Sequence, residues 1–157
     1  MKVFKSYAFF VLFLFSFFKA QYTVHPMLST GYSYQNQSFV EIGGKILFLK
    51  KDEVAYRIGA STMLGSVNQK FAIIPKIQGD ILFNFRKNAD IHHGFYYIAG
   101  IQSTTKYFAP YLGMNILGMI DFTGGYSWTY PNQTLNGKEL KGLNFGINLN
   151  IPLVIFE

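Results

Sequence analysis

Apolar and polar residues alternate along the last stretch of the chain, residues 142–156, which reads GLNFGINLNIPLVIF. From Leu143 to Ile151 every odd-numbered residue is apolar, whereas the even-numbered residues are three asparagines and one glycine. Successive side chains of an extended strand point to opposite faces, so one face is apolar and the other must be wet or hydrogen-bonded. This pattern is typical of a transmembrane barrel strand.

The same period of two residues recurs along the chain, with polar segments between the alternating stretches. No segment shows the 3.6-residue period of a helix. The pattern therefore predicts an all-β chain of eight antiparallel strands in up-and-down order. We assign a turn to residues 118–121, although Met119 and Ile120 are apolar. The predicted strands are Met27–Tyr34, Phe39–Leu49, Val54–Gly65, Phe71–Arg86, Gly94–Gln102, Tyr107–Leu117, Phe122–Tyr130 and Gly142–Phe156.

The alternation fits both a membrane barrel and a soluble barrel, which differ in the chemistry of the polar face. A soluble exterior needs frequent Lys and Glu, and globular chains carry about a quarter charged residues. Here only 14% of residues are charged. The polar face is built mainly of Gly, Ser and Asn, which fit inside a narrow tube. We therefore expect a transmembrane barrel with the polar face inward, and interfacial aromatic girdles formed by Tyr32, Tyr34, Tyr56, Tyr107, Tyr126, Trp128 and Tyr130.

The N-terminal segment has the features of an export signal. Two lysines precede an apolar run over residues 8–18, and the small residue Ala20 follows. The run is about half the roughly 20 residues needed for a membrane-spanning helix. These features predict a signal peptide over residues 1–20, cleaved after Ala20. A single barrel domain is expected over residues 21–157.

Charge and cysteine content exclude several classes of protein. Removal of residues 1–20 leaves eleven basic and eight acidic residues, a net charge of +3. The high pI of the full chain is therefore weak support for binding to nucleic acid, and export argues against it. The chain has no cysteine, which excludes disulfides, thiolate metal sites and a lipid-modified N-terminal cysteine.

Charged residues also occur on the predicted lumen face of the second, third and fourth strands. Single charges are costly to enclose, but paired and hydrogen-bonded charges can fill a narrow tube. The sequence is compatible with a polar path for ions, but an eight-stranded barrel is only wide enough for its side chains. We therefore predict a structural network that closes the lumen, composed of Glu41, Lys45, Arg57, Lys76 and Asp80.

The loop after the third strand predicts a pairing within this network. A loop centred near Asn68 sets Arg57 opposite Asp80 and Ser61 opposite Lys76. Arginine can hold a carboxylate through two hydrogen bonds. An ion pair between Arg57 and Asp80 is therefore expected, with Glu41 and Lys45 nearby.

The sequence offers little support for catalysis, a metal or a cofactor. His25 stands alone, and the adjacent His92 and His93 would point to opposite faces of an extended segment. The Gly43-Gly44 and Gly124-Gly125 pairs lack the following helix of a phosphate-binding loop. We therefore expect no enzymatic activity, no metal and no cofactor.

Taken together, residues from LSTGYSY to GINLNIPLVIF resemble the small eight-stranded outer-membrane barrels of Gram-negative bacteria, the OmpA- and OmpX-like class. The resemblance is one of pattern and carries no diagnostic motif. Such barrels commonly end in an aromatic residue, whereas here Phe156 precedes a terminal Glu157. Some barrels of this size are lipid A deacylases with a His-x-Ser-Asn motif in a late strand. The comparable stretch here, residues 126–129, has no histidine.

The resemblance implies an eight-stranded barrel in the outer membrane and says little about activity. We expect a monomeric, porin-like protein with a structural, adhesive or surface-interaction role. Its expected partners are outer-membrane lipid and, during insertion, the barrel assembly machinery, with no nucleic acid. Two alternatives stay open at this stage. One is a lipid-modifying enzyme with an unrecognised site, and the other is a soluble periplasmic barrel that binds a small apolar ligand.

Overall fold

The computed structural model describes residues 23–51, 54–84 and 94–153, with the side chains of residues 50 and 51 excepted. The predicted signal peptide and its cleavage position lie outside the described residues. So do His92, His93 and the C-terminal residues Phe156 and Glu157.

Eight antiparallel strands pair in sequence order, and the first strand also pairs with the last, so the sheet closes into a barrel. The predicted all-β, up-and-down architecture is confirmed. In the described part of the chain, no helix is long and apolar enough to cross a membrane. The strands are β1 (Thr23–Gln35), β2 (Ser38–Lys51), β3 (Val54–Val67), β4 (Lys70–Asn84), β5 (Phe95–Thr104), β6 (Tyr107–Ile116), β7 (Ile120–Thr129) and β8 (Gly142–Pro152).

The turn between β6 and β7 is shorter than the sequence predicted. The ladder continues to the pair Ile116↔Ile120, and the Met119 amide donates to the Ile116 carbonyl at 3.1 Å. Leu117 and Gly118 supply the positive φ angles of this tight turn. The predicted turn over residues 118–121 was therefore wrong for its last two residues. Ile120 and Asp121 belong to β7.

Three two-residue turns and one long connection lie at the end of the barrel opposite the N-terminus of β1. The turns follow β1, β3 and β5, and the connection over residues 130–141 follows β7. Asn36, Asn68 and Gln69 in the short turns have positive φ angles of 56°, 50° and 61°. Asparagine tolerates this conformation better than most residues, which explains the polar composition of these segments. We call residues 130–141 the lid and this end of the barrel the lid end.

The two faces of the wall differ sharply in chemistry. Outward-facing positions with described side chains carry no charged residue on any of the eight strands. They are mainly aliphatic and aromatic, with some Gly, Pro, Ser and Thr. Six charged residues have described side chains inside the barrel, and all six are buried.

Tyr107 is an exception to the predicted aromatic girdle. Its side chain lies inside the barrel, where it is fully buried and its hydroxyl donates to Met63 Sδ at 3.5 Å. Tyr107 has the same parity as Ala109 and Tyr111, which also face inward. The predicted outward orientation of Tyr107 was therefore wrong. The other six girdle residues are exposed on the outer face.

Two apolar layers occupy the ends of the interior. Some of these inward-facing residues are on β5, where Tyr96 and Ile98 are buried in the lumen. Both faces of β5 therefore carry apolar residues, which is why its alternation is weak in the sequence. The layer at the lid end contains Phe39, Met63, Val67, Ala72, Ile74, Tyr107, Ala109 and Leu140. The layer at the other end contains Met27, Leu47, Ala55, Leu82, Tyr96, Ile98 and Tyr111.

Candidate functional site

The middle of the interior, between the two apolar layers, holds an ionic network. Arg57 on β3 is its most connected cation. Its Nε donates to Asp80 Oδ2 on β4 at 2.7 Å, and its Nη1 donates to Asp121 Oδ1 on β7 at 3.1 Å. Arg57 Nη2 lies 2.9 Å from Asp121 Oδ2, an ionic contact without hydrogen-bond alignment. One guanidinium therefore connects two carboxylates from strands on different sides of the barrel.

The predicted register of β3 and β4 is the one observed. Arg57 is paired with Asp80, and Ser61 is paired with Lys76. Side chains of directly paired residues in a sheet share a face, so both pairs point into the lumen. The predicted ion pair between Arg57 and Asp80 is present.

Asp121 is a central member of the network that the sequence analysis missed. It accepts from Lys45 Nζ at 3.0 Å, from Asn115 Nδ2 at 2.7 Å and from Asn150 Nδ2 at 2.8 Å, in addition to Arg57. Because the sequence analysis assigned Asp121 to a turn, it did not count this carboxylate among the lumen residues. The signal was available in the alternation, because Asp121 has the parity of the inward-facing polar residues that follow it on β7.

A second ion pair lies closer to the lid end. Lys76 Nζ on β4 is 2.5 Å from the Glu41 carboxylate on β2. Ser61 on the intervening strand β3 donates to Glu41 Oε1 at 2.8 Å. Glu41 therefore joins a separate pair and does not contact Arg57, whereas Lys45 is linked to Arg57 through Asp121.

Among the described side chains, the positive and negative charges inside the barrel are equal in number. Glu41, Asp80 and Asp121 oppose Lys45, Arg57 and Lys76, and all six side chains are almost completely buried. A polar cavity among them has a volume of about 10 Å³, close to the minimum that can hold a single water molecule. Pairing and further hydrogen bonds offset the cost of taking these charges out of water. The arrangement fills the middle of the lumen and leaves no room there for a small-molecule substrate.

The lid closes the mouth of the barrel from above. It makes a side-chain hydrogen bond to each of the three short turns at this end, so its position is fixed around the rim. The bonds run from Lys138 Nζ to the Asn36 carbonyl at 2.9 Å, from Asn68 Nδ2 to the Asn136 carbonyl at 2.8 Å and from Lys106 Nζ to Gln133 Oε1 at 3.0 Å.

Leucine side chains of the lid extend the apolar layer beneath it. Leu140 is buried within that layer and Leu135 packs against it. The carbonyl of Leu140 accepts from Gln35 Nε2 at 3.2 Å, and Gln35 Oε1 accepts from Ser127 at 2.6 Å. The lid is thus anchored to β1 and β7 by buried polar contacts as well as by apolar packing.

The described residues offer no arrangement suited to metal binding. Over residues 23–51, 54–84 and 94–153, no three His, Cys, Asp or Glu residues are grouped to hold a metal ion. Both glycine pairs lie within strands, Gly43-Gly44 in β2 and Gly124-Gly125 in β7. In the stretch compared with the deacylase motif, Ser127 points inward and bonds Gln35 and Asn144.

Comparison with protein-family models and with curated proteins gives no match for this chain. Any function assigned to it must therefore be inferred from the geometry of the barrel.

Proposed function

We propose that this chain is an integral outer-membrane barrel with a sealed lumen and a structural or surface-interaction role, without enzymatic activity. The observation that carries the proposal is the distribution of charge. Among described side chains, all eleven charged residues lie either inside the barrel or at the lid end. The described side chains of the eight strands place no charge on the outer wall, and such a wall suits contact with lipid and is unsuited to water.

The size of the apolar wall supports the same proposal. Its strands are 10 to 15 residues long, and a tilted transmembrane β-strand needs about 9–11 residues. Outward side chains such as Ile77 and Leu112 are 65% and 70% exposed. A soluble protein rarely leaves such a continuous apolar surface uncovered.

Aromatic hydroxyls near the lid end support an interface at that level. The Tyr32 hydroxyl and Ser38 Oγ are 2.8 Å apart on the outer face, and so are the Tyr130 hydroxyl and Ser103 Oγ. Tyr and Trp are favoured where apolar lipid meets water, because their rings are apolar and their polar groups can be hydrated. These residues fit a girdle at the membrane interface.

The filled lumen favours a structural role over transport. The ionic network occupies the middle, and a layer of buried apolar side chains lies toward each end. We expect the protein to be impermeable to ions and sugars when reconstituted into vesicles. Stable unit currents in a planar bilayer would argue for an ion path instead.

Cell fractionation tests the proposed location. The protein should be recovered with outer membranes and be released by detergent, whereas a high-salt wash should leave it in place. Recovery in the periplasmic fraction would support the soluble, ligand-binding barrel and would contradict the proposal.

The proposed absence of enzymatic activity needs its own measurement. Mass spectra of lipopolysaccharide should be the same with and without the purified protein, because among the described side chains no Asp, Glu, His or Lys lies on the outer face of the strands, where it could activate a serine or a water molecule. A loss or gain of acyl groups would support the lipid-modifying alternative. Outer-membrane lipid and the barrel assembly machinery are the partners that the proposal requires.

A further inference from the structure

We infer that the lid end carries a cationic collar that binds the phosphates of anionic lipids in the adjoining leaflet. The inference rests on the proposed membrane insertion. The collar consists of Lys70, Lys106, Lys138 and Lys141, with Glu139 as its one acidic member among the described residues. The six interior charges cancel, so the net charge of +3 among described side chains belongs entirely to this rim.

The collar lies beside the aromatic part of the outer wall. Lys106 is adjacent to Tyr130, whose amide donates to the Lys106 carbonyl at 3.0 Å. The pair Ser127↔Gly142 closes the ladder of β7 and β8, so Lys141, the last residue of the lid, comes next to Trp128 on β7. Trp128 faces outward, and its ring lies 5.1 Å from that of Tyr126.

This position selects lipid phosphate over other anions as the partner. Aromatic residues of a membrane barrel lie at the level of the lipid headgroups, so lysines directly beside them face the phosphates. Basic residues near an anionic membrane surface are attracted to it, and the attraction is screened by salt. A soluble polyanion could reach only those collar lysines that face the water, away from the aromatic girdle.

Trp128 provides a built-in probe, because it is the only tryptophan in the chain. The experiment uses the mature chain folded into vesicles of phosphatidylcholine and phosphatidylglycerol with equal acyl chains. Bromine atoms, which quench tryptophan fluorescence on contact, are placed on only one of the two lipids at a time. At equal mole fraction, brominated phosphatidylglycerol should quench Trp128 about twofold more strongly than brominated phosphatidylcholine at low salt.

Three variants test the assignment to the collar. Lys141→Gln removes the charge nearest Trp128 and should bring the ratio of the two quenching strengths toward one. Lys70→Gln removes the same charge on β4, three strands from β7, and should leave the ratio nearly unchanged. Glu139→Gln removes the acidic member and should raise the ratio. Both quenching strengths are measured on the same variant. A substitution that changes the fluorescence of Trp128 therefore affects both strengths alike and leaves their ratio unchanged.

Equal quenching by the two brominated lipids in the unsubstituted chain would overturn the collar while leaving the membrane barrel intact. The same holds if Lys70→Gln and Lys141→Gln lower the ratio equally. If neither brominated lipid quenches Trp128, the outer wall does not contact lipid. This result would overturn the proposed function and the collar together.

Discussion

Arg57 and Asp80 face each other across β3 and β4, and their side chains meet inside the barrel at 2.7 Å with 1% and 0% of their surface exposed. Neither residue could be enclosed there alone at a tolerable free energy. Asp121 and Lys45 complete the arrangement, so the two carboxylates and two cations form a neutral group.

The first prediction concerns this neutral group. Arg57→Met should lower the free energy of unfolding by about 3–5 kcal/mol, because it leaves Asp80 and Asp121 enclosed with only Lys45. The double variant Arg57→Met/Asp80→Asn removes one charge of each sign and leaves the pair of Lys45 and Asp121. It should be more stable than Arg57→Met alone. Urea unfolding in lipid vesicles measures both.

Additive costs would contradict this account of the network. If the double variant loses as much stability as the two single variants together, Arg57 and Asp80 act independently and their ion pair has no energetic role. The single variant Asp80→Asn is also measured, because the double-mutant cycle requires both single variants.

The second prediction compares two glycines near Asp80. A Cβ atom on Gly100, the residue paired with Asp80, would lie 2.6 Å from Asp80 Oδ1 and 2.7 Å from Tyr111 Cζ. Gly100→Ala should therefore displace the carboxylate and destabilise the barrel by about 1–3 kcal/mol. A Cβ atom on Gly79 would meet nothing within 4 Å on the outer face. Gly79→Ala is thus the matched control and should change stability by less than about 1 kcal/mol.

The same unfolding measurement decides this comparison. Similar effects at the two positions would mean that the lumen can adjust around a methyl group, contrary to the packing described above. Far-ultraviolet circular dichroism should show that both variants retain the β-sheet content of the parent.

Much of the fold could be predicted because each strand has an apolar outer face and a mostly polar inner face, which gives the sequence a period of two residues. The two-residue turn at Asn68 and Gln69 fixes the alignment of the whole hairpin, which is why the pairing of Arg57 with Asp80 could be predicted from a loop position. The orientation of Tyr107 could not, because aromatic residues occur on both faces of this wall and parity at a strand end depends on where the turn begins.

The lid was beyond sequence reasoning for a different physical reason. Its contacts join residues far apart in the chain, such as Gln35 and Leu140, which are 105 positions apart. The sequence showed only a long polar loop with two leucines. Where those leucines lie depends on the closed barrel beneath them, so their role emerges only once all eight strands are in place.

The third prediction concerns the attachment of the lid. Leu140→Ala should remove much of the apolar contact beneath the lid, at a cost within the range of about 2–5 kcal/mol for buried leucines. Because the loss falls mainly on the closed lid, trypsin should cut after Lys138 and Lys141 about tenfold faster or more. Leu135→Ala, which removes a partly buried side chain, should have a smaller effect.

Hydrogen exchange provides an independent measure of lid opening. In Leu140→Ala, amides of residues 132–141 should exchange faster while those in the middle of β1–β8 stay protected. Uniform acceleration over the whole barrel would mean that Leu140 stabilises the barrel globally and does not act on the lid.

The most direct test of the membrane barrel is a comparison of two lysine substitutions on the outer face of β8. Ile147 lies at the middle of the strand and Leu143 lies four residues nearer the lid end, and both are exposed on the outer wall, by 49% and 63%. In vesicles, Ile147→Lys should lower the free energy of unfolding by about 2–4 kcal/mol, and Leu143→Lys by about 0–1 kcal/mol, because the cost of a charge falls toward the interface. Equal and negligible costs at both positions would place the outer wall in water and would contradict the account.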